Sequence, residues 1–431
     1  QQSAHMMSCT GNPWLRTPAM DSLAATGTRF ESAYVTNPVC LPARFSFLTG
    51  KYPSAIGVRH NGSKPTPLVS EMPRRSLGWI LRDAGYETAY GGKVHLPGPM
   101  GKIEDCGFTN LTGDSRAPLA DACATFLKAR HDKPFLLVAS FINPHDICYM
   151  AIRDQSPDNA LAKRVPPPLF EAMKLPAGVS EDEFYQRHCP PLPPNHEPTD
   201  GEPDGIRQLL NMRQFRLRAR QNWGEREWRL HRWAYCRLTE LVDAHIAKVL
   251  QALRQSGIGE NTIVIFTSDH GDMDSAHKLE HKTVFYEEAA RVPMIISHKG
   301  HTPPGRVDDT HLVSNGLDLI PTLCDYAGAE PPDDLQGVSV RPLAEGREPE
   351  SWRKDLWLED QVGFMVHTGR HKYQLYDEGE PREMLTDLES DPGEMKNLAS
   401  DPRHAPVLTD LRRRLAQHAR ENGVEVRLPG D

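Results

Sequence analysis

Three short, uninterrupted apolar runs constrain the fold of this 431-residue chain more than any other feature of its sequence. They cover residues 135–142, 262–267 and 292–297. Runs of this length without polar alternation are typical of strands buried on both faces, and they are too short to cross a bilayer. A long amphipathic pattern, apolar along one helical face from Leu238 to Leu253, ends at Gly257. Buried strands that alternate with helices predict an α/β fold with a large mixed, mostly parallel sheet between helices.

Shorter patterns extend this alternation along the chain. We expect helices at residues 17–25 (with Thr17 as the cap), 46–48 and 77–84, and strands at 30–35 and 87–90. From about residue 346 the pattern changes to short strands around Trp357, Phe364 and Tyr373, followed by a helix near 407–420. We therefore predict a large domain over residues 1–345 and a smaller α+β domain over residues 346–431.

A segment rich in proline, arginine and tryptophan interrupts the large domain at residues 151–225. Its prolines cluster between residues 157 and 203, a stretch too long and too rigid for a plain connection, so we predict an ordered insertion near a cleft. In residues 207–237 glutamates interrupt the arginines, which favours a solvated helical face with tryptophans packed beneath over a nucleic-acid surface. The formal net charge, 50 − 58 = −8, also argues against nucleic acid, and no apolar run reaches membrane-spanning length.

Eight cysteines are scattered along the chain, and none of them belongs to a CxxC pair. Neither a zinc knuckle nor a dense disulfide framework is therefore indicated. Cys40 differs from the others because it lies between a predicted strand and a predicted helix, four residues before Arg44. A helix N-terminus and a nearby cation both favour the thiolate. By spacing alone Cys40 could be a nucleophile, a metal ligand or a small buried residue, and the other seven are interpreted as buried thiols.

The segment CLPARFSFLTGKYP at residues 40–53 resembles the signature of the sulfatase family, Cys-x-Pro-x-Arg followed by Thr-Gly and a basic residue. The resemblance extends from residues 12–18 to residues 391–394. It implies an alkaline-phosphatase-like α/β sandwich. It also implies that a formylglycine-generating maturation enzyme oxidises Cys40. The hydrated aldehyde then attacks sulfur, and its second hydroxyl expels sulfate by collapse to the aldehyde.

The same resemblance implies a divalent metal bound by Gln1, Cys40 as formylglycine, Asp269 and His270. Asp269 and His270 closely follow the run at 262–267, and the carboxyl ends of strands are where α/β folds bind ligands. Ca²⁺ is the expected ion. Mn²⁺ and Zn²⁺ are alternatives, because an imidazole suits calcium less well than an amide oxygen does. The family places an Asp and a strand before the position of Gln1, so we expect the sequence to be truncated at its N-terminus.

Five further residues match catalytic positions of the family. Lys93 and Lys282 correspond to lysines that bind sulfate oxygens, and Lys282 also reaches the ester oxygen. His95 corresponds to the base that acts on the formylglycine hydroxyl, and His145 to the group that protonates the leaving oxygen. Arg44 is expected to hold formylglycine and to brace the metal-binding carboxylates.

Asn61 and His281 are the expected substrate-binding residues. Asn61 falls where some relatives contact their substrate. His281 directly precedes Lys282, so it either contacts the substrate or supports the lysine from behind.

Together these residues predict hydrolysis of a sulfate monoester of a sugar or an aryl alcohol, with a sulfated small molecule or glycan as partner. We expect arginines of the insertion to face a sulfated glycan, with Arg213, Arg216 and Arg218 as the residues involved. One alternative is a phosphonate monoester or phosphodiester hydrolase of the same superfamily, supported by His270 and Asn61. Another is a catalytically inactive binding protein on the same scaffold. The sequence leaves the oligomeric state open.

Overall fold

The apolar runs form strands of the computed structural model, which describes residues 1–62, 67–155 and 163–429. The run at 292–297 is buried as predicted, whereas those at 135–142 and 262–267 are only half-buried, because a cavity lies beside them. The strands are β1 Thr28–Phe30, β2 Ala33–Tyr34, β3 Glu87–Gly92, β4 Thr109–Thr112, β5 Phe135–Ser140, β6 Val264–Thr267, β7 Met294–Ser297, β8 Arg306–Asp308, β9 Val313–Ser314, β10 Leu356–Glu359, β11 Gly363–His367, β12 His371–Tyr376 and β13 Glu383–Asp387. The α-helices are α1 Pro18–Thr26, α2 Cys40–Thr49, α3 Leu77–Asp83, α4 Ala117–Lys128, α5 Tyr149–Gln155, α6 Pro167–Ala172, α7 Glu181–Glu183, α8 Asp204–Asn211, α9 Gln214–Asn222, α10 Glu225–Gln255, α11 Glu287–Ala290, α12 Leu319–Ala327, α13 Arg341–Ala344 and α14 Ala405–Glu421.

The predicted sheet is present as two main sheets. β4, β3 and β5 form a parallel sheet in that order, with Glu87 opposite Phe135 and Gly92 opposite Ser140. β6, β7, β1 and β8 form a mixed sheet, in which β7 is antiparallel to both neighbours and β1 is parallel to β8. Among the described residues β5 and β6 do not pair with each other. A cavity of about 1140 Å³ lies between them, lined by apolar side chains of both strands.

Helices cover both faces of these sheets, as the apolar runs predicted. On one face α1 and α10 pack against β6 and β7 through Leu23, Val242 and Ile295. On the other face α2, α3 and α12 pack against β3 and β5 through Phe45 and Leu81. The result is an α/β sandwich whose carboxyl strand ends open on one side.

The C-terminal part has the predicted α+β organisation. β10 to β13 form an antiparallel sheet in chain order. α14 packs Leu411 and Leu415 against Trp357 and Phe364 of this sheet. The boundary at residues 345 and 346 stays a prediction. No helix within the described ranges is both long and apolar enough to cross a membrane.

Two local predictions differ from the structure. The strand expected at 30–35 is broken into β1 and β2, because the chain turns at Glu31 and Ser32 and changes its strand partner from β8 to β9. α1 begins at Pro18 as expected, but Thr17 does not cap it: its Oγ1 accepts from the Ser8 N–H and donates to Asp21. By contrast, α2 ends at Gly50 and α10 ends before Gly257, and both glycines have positive φ.

The insertion is ordered wherever the structure describes it, while residues 156–162 of the proline-rich stretch lie outside the described ranges. In residues 207–237, Trp223, Trp228 and Trp233 are buried, as predicted for helices with a solvated face. Asp200 forms a β-bridge with Lys396, so the insertion contacts the C-terminal part. The arginines do not share one environment, because Arg216 is buried whereas Arg213 is exposed.

Candidate functional site

The predicted site residues come from turns at the carboxyl ends of three strands and from the N-terminus of one helix. Lys93 follows β3, and His145 lies in the turn after β5. Asp269 and His270 lie in the turn after β6. Cys40 is the first residue of α2, where unpaired backbone N–H groups favour negative charge. Strand direction therefore brings sequence-distant residues to one edge of the sandwich.

Cys40 lies at the centre of this cluster and is 1% exposed. Its Sγ is 3.1 Å from Nε2 of His270. Burial alone would raise the pKa of the thiol, but the positive charges of Lys282 and Lys93, with His270 and a hydrogen bond from His145, hold it well below its usual value. Residue 40 therefore occupies a pocket that stabilises an anionic oxygen or sulfur.

Arg44 braces the site from within, as predicted. Its Nε donates to Asp269 Oδ2 at 2.8 Å. Its Nη1 donates to the Lys93 backbone carbonyl at 2.8 Å and to Ser140 Oγ at 2.7 Å. The planar guanidinium thus joins the turn after β6 to the ends of β3 and β5, and fixes the carboxylate that is expected to bind metal.

The donor atoms of Cys40, Asp269 and His270 lie within 4.8 Å of one another, close enough to share one ion. Burial lowers the pKa of His270, and its Nδ1 lies 2.8 Å from the Gly271 carbonyl, which leaves Nε2 as the lone-pair donor toward Cys40. Burial opposes ionisation of Asp269, but His270 and Arg44 hold its pKa well below the usual value. A charged carboxylate and a neutral imidazole fit a divalent cation.

Gln1 lies beside these donors but its side chain is engaged elsewhere. Its backbone nitrogen is 2.8 Å from Asp269 Oδ1. Its Nε2 donates to Asp272 at 2.5 Å, and its Oε1 accepts from Lys282. As a metal ligand Gln1 stays a prediction, because binding through Oε1 would replace the contact with Lys282.

The two lysines differ in environment. Lys282 is buried, and although burial lowers its pKa, Cys148, Cys40 and Asp269 raise the pKa above the usual value, so it is charged. Lys93 is half-buried, and burial lowers its pKa. His145 is also half-buried, and its buried Nδ1 has no hydrogen-bond partner among the described residues. These groups surround Cys40 with cations and an imidazole, as an anionic substrate requires.

Two predicted residues are placed differently. His95 is exposed, has a φ of 49°, and makes no hydrogen bond or ion pair within the described part of the chain. To act as a base on residue 40 it would have to turn inward. Asn61 is also exposed, but its Oδ1 accepts from the Leu41 N–H at 3.0 Å. It thereby satisfies a free N–H in the first turn of α2, which positions Cys40.

Sequence reasoning missed Cys148 and Asp272. Cys148 is buried, with its Sγ 2.8 Å from Gln1 Nε2 and 3.7 Å from Lys282 Nζ. Asp272 is fully buried and accepts from Gln1. Their spacing could have identified them in the sequence, because Cys148 lies three residues after His145 and Asp272 lies two residues after His270. The interpretation of the remaining cysteines as buried thiols is correct except for Cys9, which is half-buried.

Two protein-family models and several known proteins are similar to this chain in sequence. A family model described as Sulfatase matches residues 1–329, and one described as N-sulphoglucosamine sulphohydrolase, C-terminal, matches residues 275–421. The Delta 4,5-hexuronate-2-O-sulfatase of Bacteroides thetaiotaomicron is 31% identical over 91% of this chain and 81% of its own length.

Solved structures show the same fold. A 2-O GAG sulfatase superposes with a TM-score of 0.82 at 27% identity, covering 98% of this chain and 90% of its own. The phosphonate monoester hydrolase of Agrobacterium radiobacter superposes with a TM-score of 0.75 at 21% identity, covering 98% and 94% of the two chains, which shows the fold alone. The chain therefore belongs to the sulfatase family, a group of sulfuric ester hydrolases within the alkaline phosphatase superfamily.

Proposed function

We propose that this enzyme hydrolyses sulfate monoesters by means of a formylglycine made from Cys40. The observation that carries the proposal is the buried Cys40, which lies with Asp269 and His270 within 4.8 Å and is influenced by the charges of Lys93 and Lys282. A sulfate monoester presents anionic oxygens that repel a nucleophile, so it needs this concentration of positive charge. The cysteine sulfur stands where the oxygens of formylglycine would lie, and the hydrated aldehyde would supply the attacking hydroxyl.

The donor set fits a divalent metal held by Asp269, His270 and residue 40, with Gln1 as the predicted fourth ligand. Such an ion would neutralise the sulfate oxygens and polarise the nucleophile. We propose Ca²⁺ first, with Mn²⁺ and Zn²⁺ as the alternatives that the His270 imidazole suits.

The protein groups have separable roles in this proposal. Lys93 and Lys282 hold sulfate oxygens, and Arg44 keeps the Asp269 carboxylate in place. His145 gives a proton to the leaving oxygen, and its buried Nδ1, which has no hydrogen-bond partner among the described residues, supports this role. The role of His95 as a base requires the inward turn described above.

A sulfated sugar is the proposed substrate class. It is supported by the named activities of the relatives, which include a hexuronate-2-O-sulfatase and an N-acetylglucosamine-6-O-sulfatase. The expected arginine surface needs revision, since Arg216 is buried and donates to Thr283 Oγ1 at 2.9 Å. Arg213 and Arg218 are the members of that group left to meet a glycan.

The test begins with the chain expressed together with a maturation enzyme. Mass spectrometry of the tryptic peptide 30–44 should show the aldehyde or its hydrate at residue 40, and the protein should then hydrolyse nitrophenyl sulfate and sulfated monosaccharides. Cys40→Ala is expected to lower kcat by at least about 10³-fold, because the nucleophile is removed. An unmodified thiol in the presence of the maturation enzyme, or full turnover by Cys40→Ala, would contradict the proposal.

Phosphonate monoester hydrolysis is the second candidate, since His270 stands in the metal-binding pair where many sulfatases have Asn. Turnover of nitrophenyl phenylphosphonate is compared with that of nitrophenyl sulfate under identical conditions. A higher kcat/KM for the phosphonate would favour this candidate. Binding of sulfated sugars without turnover of either ester, by protein whose residue 40 is modified, would instead favour an inactive binding protein.

A further inference from the structure

The segment that carries Lys282 has an unusual backbone. Between residues 274 and 283 six residues other than glycine have positive φ: Asp274, Ser275, His277, Lys278, His281 and Thr283. Left-handed backbone is unfavourable for such residues, above all for β-branched Thr283 at 81°. Tertiary contacts must therefore hold this segment, and they determine where its side chains point.

Glu280 and His281 form a buried carboxylate–imidazole pair in this segment. The Nδ1 atom of His281 lies 2.9 Å from Oε2 of Glu280, and their side chains are 9% and 1% exposed. The Nε2 atom of His281 makes no hydrogen bond to any described residue. The aromatic ring of Phe215 packs edge-on against the imidazole, with 6.0 Å between ring centroids. Nδ1 is thus held by Glu280, whereas Nε2 can bind another molecule.

The pair directly precedes Lys282, whose Nζ donates to Gln1 Oε1 and lies 3.7 Å from Cys148 Sγ. The charges of Lys282, His145 and Cys40 act on His281. Arg216 donates to Thr283 Oγ1 at 2.9 Å, and its charge and that of Lys282 act on the Glu280 carboxyl. Because Nδ1 is taken by Glu280, Nε2 is the atom through which His281 can meet a bound molecule.

We propose, on the basis of the function proposed above, that His281 Nε2 hydrogen-bonds a hydroxyl of the leaving alcohol, and that Glu280 is its positioning residue. The sulfate group is held by Lys282, the next residue in the chain, so the hydroxyl lies on a carbon adjacent to the sulfated one. This contact selects sulfated sugars with a free vicinal hydroxyl over aryl sulfates, which lack one.

The charges around the pair are consistent with this role. Burial raises the pKa of Glu280 to about 8, with Arg216 and Lys282 opposing and Asp272 adding to the effect. Burial, Arg216, Lys282 and His145 lower the pKa of His281, and Cys40 raises it. At neutral pH the Glu280 carboxyl therefore keeps its proton and donates it to Nδ1 of His281. The neutral imidazole then carries its hydrogen on Nε2, from which it can donate.

The test uses the mature enzyme and three kinds of substrate: a sulfated monosaccharide, its two deoxy analogues that each lack one vicinal hydroxyl, and nitrophenyl sulfate. The wild type should prefer the hydroxylated sugar over one deoxy analogue by about tenfold in kcat/KM. In His281→Ala, and in the second variant His281→Phe, this preference should fall below about threefold. Retention of the full preference in both variants would overturn the proposal.

Glu280 is tested by rescue. Glu280→Gln retains an amide N–H that can donate to Nδ1 and so leaves the hydrogen on Nε2; it should keep most of the preference, whereas Glu280→Ala should lose it. Equal losses in both variants would show that Glu280 does not act by positioning His281. The matched control is the Glu87–His131 pair at the opposite end of β3, which has the same 2.9 Å distance. His131→Ala should leave the preference unchanged.

If the protein has no sulfatase activity, the proposed contact is tested by binding instead of turnover. If the wild type turns over none of the three substrates, binding of the intact sugar and its deoxy analogues is measured by calorimetry. A hydroxyl preference in Kd that disappears in His281→Ala would support the contact without sulfatase activity. Equal affinity of wild type for all sugars would overturn it.

Discussion

Arg44 connects three parts of the site through one side chain, and this makes it sensitive to a conservative change. A lysine keeps the charge but cannot reach Asp269, Ser140 and the Lys93 carbonyl together. We expect Arg44→Lys to lower kcat by about 10²-fold, because Asp269 and Lys93 lose their relative position. Arg413→Lys, at an exposed pair with Asp410, is the control. Steady-state kinetics with nitrophenyl sulfate measure kcat for both variants. A kcat of Arg44→Lys similar to that of Arg413→Lys would contradict the expectation.

Glu280 gives the protein a specific pH dependence of stability. Its pKa is about 8 in the folded chain and near 4.5 in the unfolded chain. As the pH rises, the unfolded chain releases this proton first, so folding loses stability between about pH 4.5 and 8. In Glu280→Gln this loss is absent.

Urea unfolding of wild type and Glu280→Gln across that pH range measures the effect. The variant should gain stability relative to wild type as the pH rises, by a few kcal/mol at pH 8. A difference that stays constant with pH would show that the carboxyl is ionised throughout.

At the scale of elements, a buried lysine joins β12 to the segment that follows Lys282. Lys372 is 0% exposed, and its Nζ lies 2.6 Å from the Phe285 carbonyl, 3.1 Å from Glu287 and 2.8 Å from Glu394. Lys372→Met would leave the buried Glu394 carboxylate without its cation, while Glu287 would keep its ion pair with Arg291. We expect a loss of about 3–5 kcal/mol in the free energy of unfolding.

Chemical denaturation measures this loss, with Lys354→Met at an exposed position as the control. The double variant Lys372→Met/Glu394→Gln should recover part of it, because the uncompensated charge of Glu394 is removed. Equal stability of Lys372→Met and Lys354→Met would show that the ion pairs contribute nothing net.

At the scale of the whole molecule, a bound metal should stabilise the fold as well as support activity. It would bind α2 through residue 40 and the turn after β6 through Asp269 and His270. A ligand at 100 times its Kd stabilises a protein by about 2.7 kcal/mol, so EDTA should lower the Tm together with activity. Calorimetry is then repeated after addition of Ca²⁺, Mn²⁺ or Zn²⁺, and the ion that restores the Tm is the one that the site binds. An unchanged Tm in EDTA would argue against a metal held by these residues.

The sequence by itself determined the parts of this protein that depend on neighbouring residues. The apolar runs predicted β5, β6 and β7 because a run of apolar residues is a local feature, although only β7 is fully buried. Gly50 ended α2 because it takes a positive φ. Cys40 and Arg44 were found for the same reason, since five consecutive residues of one helix carry the motif.

Tertiary structure alone decided which distant groups meet. Nothing local shows that Cys148 lies beside Gln1, that Arg216 of the insertion packs on Thr283, or that His95 faces solvent. The Glu280–His281 pair is adjacent in sequence, yet its burial and the available Nε2 depend on a left-handed backbone that only packing can hold. Local patterns specify elements and motifs, whereas exposure, charge and contact follow from how the chain packs, because these depend on residues far away in the sequence.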